Sequence, residues 1–227
     1  RGRREVAIPA LGAEDVLVRV RAASVHAEVW HVGTGWPYAL RLMGAGLRKP
    51  KNRVPGTDLA GVVESVGGNV TRLGPGDEVF GESVRSHQWT NGGAYAEYAS
   101  VPASSLALKP TNVTFEQAAS VPTAGLIVLH NLRSVGGIRP GHKVLVNGAA
   151  GGVGSVALQV ARAQGAVVTG VDGPEKLDLL RSLGADHVID YTTEDFTRGD
   201  DRYDLIFDVP SNRPYSECRR ALAPSGK

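Results

Sequence analysis

The 227 residues predict an α/β protein in two parts, a small β-barrel followed by a doubly wound parallel sheet. Three observations predict it. Up to about residue 110, short stretches alternate apolar and polar residues and are parted by glycine turns, the pattern of a small barrel. Between residues 143 and 165, an apolar strand, a glycine turn and a helical repeat follow one another directly. Beyond them, strand-like and helix-like stretches alternate regularly, as in a doubly wound sheet.

In chain order, Val16-Leu-Val-Arg-Val-Arg-Ala alternates as a half-buried strand does. Val54 to Val66 reads as a second strand, entered through Pro55-Gly56 and flexed at Gly61. Gly74-Pro-Gly76 turns the chain into a short strand at Asp77-Glu-Val-Phe-Gly81, and Gly92 to Val101 alternates again. Thr114, with Gln117 three residues on, has the form of a capping box and starts a helix. Leu126, Leu129 and Leu132 continue in a helix-like segment that ends at Gly136-Gly137. Strands follow at 144–146, 166–171, 187–191 and 203–209, and helices at about 154–164, 176–183 and 215–222. Gly165 stands where a left-handed cap stops the first of these helices.

The chemistry centres on Asn147-Gly-Ala-Ala150-Gly151-Gly152-Val153-Gly154. A buried strand running through small residues into a helix aims free N–H groups and the helix's positive end at one spot, which suits a pyrophosphate. Ala150, Gly151, Gly152, Val153 and Gly154 are therefore the expected cofactor-binding residues. The second strand ends in Asp172, near the distance at which an acid contacts an adenosine ribose.

Composition narrows the classes. A net charge of +2, with basic residues scattered, argues against nucleic acid and against an anionic membrane. The basic group Arg41, Arg48, Lys49, Lys51 and Arg53 reads as a solvated helix edge and loop. No apolar run approaches the roughly 20 residues of a membrane span. The lone Cys218 rules out an internal disulfide and suggests a cytoplasmic protein. A start at Arg-Gly-Arg-Arg and an end at Pro224-Ser-Gly-Lys227 suggest most of a protein rather than all of one.

Five stretches carry a family resemblance: Val54-Pro-Gly-Thr-Asp-Leu-Ala-Gly-Val, Gly76-Asp-Glu-Val-Phe-Gly, Gly93-Ala-Tyr-Ala-Glu-Tyr, Asn147-Gly-Ala-Ala-Gly-Gly-Val-Gly and Leu183-Gly-Ala-Asp-His-Val-Ile-Asp-Tyr. The chain resembles the medium-chain dehydrogenase/reductase superfamily, and within it the zinc-free, quinone-oxidoreductase-like branch. The resemblance implies a GroES-like substrate domain (residues 1–120) and an incomplete Rossmann-like NAD(P)-binding domain (121–227). It also implies an active site in the cleft between them and a homodimer. The reaction it implies is hydride transfer from NAD(P)H to a quinone, an enone or a related carbonyl compound.

No catalytic or structural zinc is expected. Zinc-dependent relatives carry a His-Glu pair where Thr57-Asp58 stands here, and no cysteine precedes Cys218. His26, His31 and Glu28 offer metal-ligating atoms only through an unfavourable local geometry. His26 stands where the branch usually has Asn near the nicotinamide, so it is a candidate for proton transfer, and Tyr38 is expected to border the same cleft. Lys176 and Tyr191 match the pair that grips the 2′-phosphate in NADPH-dependent quinone reductases. Asp172 would instead favour NAD(H), and at about 4 Å one surface charge pair is worth about 4 kcal/mol before desolvation. The Lys–Tyr pair tips the expectation slightly to NADP(H). Val29, Ile127 and Ser211 depart from the family pattern near the cofactor, so the alternative is a non-catalytic nucleotide-binding or interaction protein.

Overall fold

A computed structural model describes residues 5–39, 41, 53–84 and 92–227. The chain divides into two compact units, Arg1–Thr123 and Ala124–Lys227.

The first unit contains β1 (Asp15–Ala23), α1 (Ala27–Thr34), β2 (Asp58–Val66), β3 (Glu78–Glu82), β4 (Tyr98–Pro102), β5 (Leu106–Leu108) and α2 (Phe115–Ala119). The strands form an antiparallel sheet in the order β4-β1-β2-β3-β5. Its edge strands are joined by a single 3-10 turn, Ala103–Ser105. Five flat strands would set the edges about 19 Å apart, four gaps of about 4.8 Å. The chain from Pro102 to Leu106 reaches at most about 14 Å. The sheet must therefore roll, and the expected barrel follows from that short connection. Alternation places Val16, Val18, Val63, Val79 and Val101 in its interior.

The second unit is built on a parallel sheet. An α3 helix (Pro122–Ser134) begins in the first unit and runs into the second. It is followed by β6 (Lys143–Asn147), α4 (Gly152–Ala163), β7 (Val167–Asp172), α5 (Leu177–Ser182), β8 (His187–Asp190), β9 (Leu205–Asp208) and α6 (Tyr215–Cys218). The order is β8-β7-β6-β9, all parallel. After β6 the chain builds outward through β7 and β8, then returns to the far side of β6 for β9. That reversal is the switch point at which such sheets bind ligands, beyond the carboxyl ends of their strands. Val144 and Val146 face a cluster with Leu158 and Leu180, while Leu145 faces Val171, Phe196 and Tyr203. Both faces are covered, which accounts for the unbroken apolar run.

Local expectations held where a local device sets the structure. Thr114 and Gln117 bond each other's backbone N–H in a capping box. Gly165 has φ +81°, and Ala166 N–H reaches back to Ala161 C=O, which closes α4 as a Schellman motif. Boundaries moved where tertiary contacts intervene. The second strand begins at Asp58 rather than Val54, and β4 at Tyr98 rather than Gly92. The backbone N–H groups of Gly92, Ala94 and Tyr95 bond Gly56 and Pro55 instead of the sheet, tying those two loops together. The 215–222 helix is α only to Cys218, then tightens to 3-10. Of the basic group, Arg48, Lys49 and Lys51 lie outside the described residues.

Candidate functional site

The glycine turn divides its labour. A Cβ on Gly154 would run into the Gly148 carbonyl oxygen and lie 2.8 Å from Ala149 Cα, so glycine there lets α4 pack on the strand exit. A Cβ on Gly152 would meet nothing within 4 Å. That open side lies at the first residue of α4, where first-turn N–H groups have no intrahelical acceptor. Gly151 is the extended N-cap residue, and Ser155 N–H closes the first turn onto its carbonyl. The first-turn N–H groups of Gly152, Val153 and Gly154 thus lack acceptors within the helix, and the open side at Gly152 leaves room for an anion such as a pyrophosphate. Ala150 and Gly151 already have acceptors for their N–H groups, Gly151 on Gly148 C=O at 3.1 Å. The Ala150 N–H donates to Asp172 Oδ2 at 2.9 Å.

Asp172 is buried at the end of β7, 7% exposed. Its Oδ1 accepts from Gly173 N–H at 2.9 Å and from Lys176 Nζ at 3.2 Å. Burial pushes its carboxyl up, but the Gly173 and Ala150 N–H donors and then Lys176 outweigh burial and hold it below the usual carboxylate range. The same contact raises Lys176, first through the hydrogen bond to Asp172 and then through its charge. Tyr191 follows β8 directly, with its N–H on Asp172 C=O at 3.3 Å and its side chain exposed. Asp172, Lys176 and Tyr191 are therefore brought together at the carboxyl edge of β7 and β8. Asp172 serves first as a clasp on the glycine turn, a role that its spacing from the turn did not reveal.

In the first unit, His26 is the N-cap residue of α1 without capping it by side chain. Its Nε2 lies 2.6 Å from Thr57 Oγ1 and 3.8 Å from Asp58 Oδ1, and its Nδ1 lies 3.9 Å from Glu28 Oε2. Asp58, 1% exposed, also accepts from Thr123, through the hydroxyl at 2.7 Å and the backbone N–H at 2.9 Å. The Thr123 hydroxyl is 2.8 Å from Glu82 Oε1 as well. Burial raises the Glu82 carboxyl above its ordinary range, with the Asp58 and Glu28 charges adding and the Thr123 and His26 contacts opposing. Sequence reading singled out His26 but missed Glu82 and Thr123. Tyr38 is 70% exposed and lies beneath the Arg41 guanidinium, 5.0 Å from its ring centre, apart from this network. His31 Nδ1 bonds Trp36 C=O at 2.8 Å. Among the described residues, no three His, Cys, Asp or Glu side chains are arranged to hold a metal ion.

Residues 12–111 match the family described as the alcohol dehydrogenase GroES-like domain, and residues 152–227 match the family described as zinc-binding dehydrogenase. A quinone-oxidoreductase homolog of Spinacia oleracea, named as chloroplastic, is 32% identical over 98% of this chain and 68% of its own length. The chain belongs to the quinone-oxidoreductase-like branch of the medium-chain dehydrogenase/reductase superfamily. An NADPH-dependent alkenal/one oxidoreductase of Arabidopsis thaliana is 38% identical over 90% of this chain and 52% of its own length. The solved quinone oxidoreductase of Coxiella burnetii superposes with a TM-score of 0.82 at 28% identity, over 97% of this chain and 68% of that one. The chain thus spans from about half to two thirds of the length of these relatives.

Within this quinone-oxidoreductase-like chain, the three departures have distinct structural consequences. Ser211 has φ +49°, the only non-glycine residue with positive φ among those described, so it occupies a backbone setting suited to glycine. Ile127 is 40% exposed on α3. Val29 is half-buried on α1, its N–H bonded to His26 C=O at 3.2 Å. None of the three alters the glycine turn.

Proposed function

We propose that this chain carries a zinc-independent oxidoreductase activity, passing hydride from NADPH to a quinone, an enone or a related carbonyl compound. The observation that carries it is the glycine turn, open at Gly152, with Lys176 and Tyr191 on the same carboxyl edge of the sheet at β7 and β8. Gly152, Val153 and Gly154 would hold the pyrophosphate, and Lys176 and Tyr191 the 2′-phosphate. Lys176 already offsets the Asp172 charge, which removes most of the repulsion that an acid at this position would exert. The Arabidopsis relative named NADPH-dependent supports the same choice. When bound, the nicotinamide supplies the hydride. His26 would lie at the acceptor and hold or move its proton, with Tyr38 on the border of that site.

Zinc independence rests on the sequence, which has one cysteine, Cys218, and Thr57-Asp58 where zinc-dependent relatives have His-Glu. Cys218 is buried, and that burial pushes its thiol up, so it is a poor nucleophile or metal ligand. The domain division falls near residue 120, and a homodimer in the cytoplasm is the assembly we expect. The test is NADPH oxidation, followed by absorbance, against simple quinones and enones. Turnover supports the reading. NADPH binding without turnover of any acceptor supports a nucleotide-binding protein instead, a reading that the glycine-like backbone of Ser211 favours.

A further inference from the structure

The polar network of the first unit contains more acceptors than its hydroxyls have hydrogens. The Thr123 hydroxyl owns one hydrogen, yet Asp58 Oδ1 and Glu82 Oε1 both lie within 2.8 Å of it. One O–H serves two carboxylates only as a weakened three-centre bond, so two distances this short are best met when one of the acids carries a proton and donates it to Thr123 Oγ1. Asp58 also accepts the Thr123 N–H at Oδ2 and the Thr57 hydroxyl at Oδ1, the latter at 3.2 Å. Both Asp58 oxygens are therefore already engaged as acceptors. Burial raises the Glu82 carboxyl, with the Thr123 and His26 contacts opposing and the Asp58 and Glu28 charges adding, and because both Asp58 oxygens already accept, the proton is placed on Glu82.

The same count applies at the other end. Thr57 gives its one hydrogen to Asp58 Oδ1, so at 2.6 Å from His26 Nε2 it is the acceptor. Nε2 then carries the imidazole hydrogen, and Nδ1 is left with the lone pair on the side of Glu28.

We propose that Glu82, held neutral, is a positioning residue that acts through Thr123, Asp58 and Thr57 to fix His26 as the Nε2–H tautomer. The inference rests on the reading of His26 as the acceptor-side residue, but the network itself can be tested without turnover. Neutral Glu82 leaves the Thr123 hydrogen to Asp58, and Asp58 in turn orders Thr57. Once Glu82 ionises, two anions compete for one hydroxyl and the ordering of Thr57 and His26 is lost. Among the described residues, the groups that face Glu82 are Asp58 on β2, His26 and Glu28 at the start of α1, and Thr123 at the start of α3. Tyr95, whose hydroxyl donates to Ser24 C=O, adjoins Asp58. With the Glu82 pKa raised, its contribution to the fold is complete below the ordinary glutamate value and disappears as pH rises through the folded value.

The decisive experiment is infrared spectroscopy of the intact protein, wild type against Glu82→Gln, near neutral pH. The expected result is a protonated-carboxyl C=O band in the wild type that vanishes in Glu82→Gln and fades as pH rises. A band that survives Glu82→Gln and vanishes in Asp58→Asn would overturn the assignment, as would the absence of any such band. Thr57→Val serves as a second variant should Asp58→Asn fail to fold. Nitrogen NMR of His26 should show Nε2–H in the wild type and lose that preference in Thr57→Val. An Nδ1–H tautomer in the wild type contradicts the chain of bonds. In turnover, kcat of the wild type should decline on the alkaline side, and Glu82→Gln, whose amide donates to Thr123 at any pH, should lack that decline. Thr57→Val should lower kcat by roughly a hundredfold with the KM for NADPH unchanged, as expected for a group that orders a proton-transfer residue. If the spectra agree and no acceptor turns over, the oxidoreductase reading falls and the shared proton stands.

Discussion

The two sites are built in opposite ways. In the second unit the proposed working atoms are backbone N–H groups of consecutive residues, and the turn that carries them is clasped by Asp172, 22 residues after Ala150. In the first unit the working atoms are side chains from the His26 loop, β2, β3 and α3, and Thr123 reaches 65 residues back to Asp58 and 41 to Glu82. A backbone site is blocked by adding atoms, whereas a side-chain network is disabled by removing them.

That contrast predicts the largest effects at neighbouring glycines. Gly152→Glu should cut NADPH affinity by on the order of a hundredfold or more, since bulk and negative charge would occupy an open cradle, and leave the melting temperature nearly unchanged. Gly154→Ala should instead destabilise the protein by about 1–3 kcal/mol, because its Cβ meets the Gly148 carbonyl. Equal behaviour of the two variants would erase the division of labour within the turn.

Asp172→Ala tests the clasp. Leaving the Ala150 and Gly173 N–H groups unmatched in a buried setting should cost about 1–3 kcal/mol in urea unfolding at neutral pH. Because the Asp172 carboxyl is held low, its stabilisation is complete above the ordinary value of about 3.9 and is lost as pH falls through the lowered folded value. The gap between wild type and variant should therefore close in acid, and a gap that persists there would assign the loss to packing. Lys176→Ala should weaken NADPH about tenfold more than NADH by calorimetry, a change set by one exposed charge. The smallest effect is expected at Ser211→Gly. It should stabilise the protein by about 0.5–1 kcal/mol by relieving a left-handed backbone, offset in part by the freedom of glycine when unfolded. A lower melting temperature would show that the Ser211 hydroxyl bond to Asp208 C=O matters more.

Legibility in the sequence followed the same division. The Gly165 cap and the apolar run at Val144 are local devices, so the second unit could be read almost element by element. Two elements of the first unit escaped notice. The α1 helix starts without a side-chain cap and buries only Val32, and β5 is three residues long and is defined by its pairing with β3. The start of β4 moved because two loops bond each other rather than the sheet. Glu82 and Thr123 carried no local signal at all, since only folding sets one hydroxyl between two acids. Asp172 was legible as an acid in the right place. Its bond to Ala150, which makes it a clasp on the turn as well, was not.

The central claim is that the open side of the glycine turn is a dinucleotide cradle with a preference for the 2′-phosphate. Calorimetric titration of the wild type and Gly152→Glu with NADPH and NADH in parallel tests it most directly. The predicted result is tighter binding of NADPH than of NADH by the wild type, and binding of neither by a Gly152→Glu variant that melts normally. Undiminished NADPH affinity in that variant would contradict the claim.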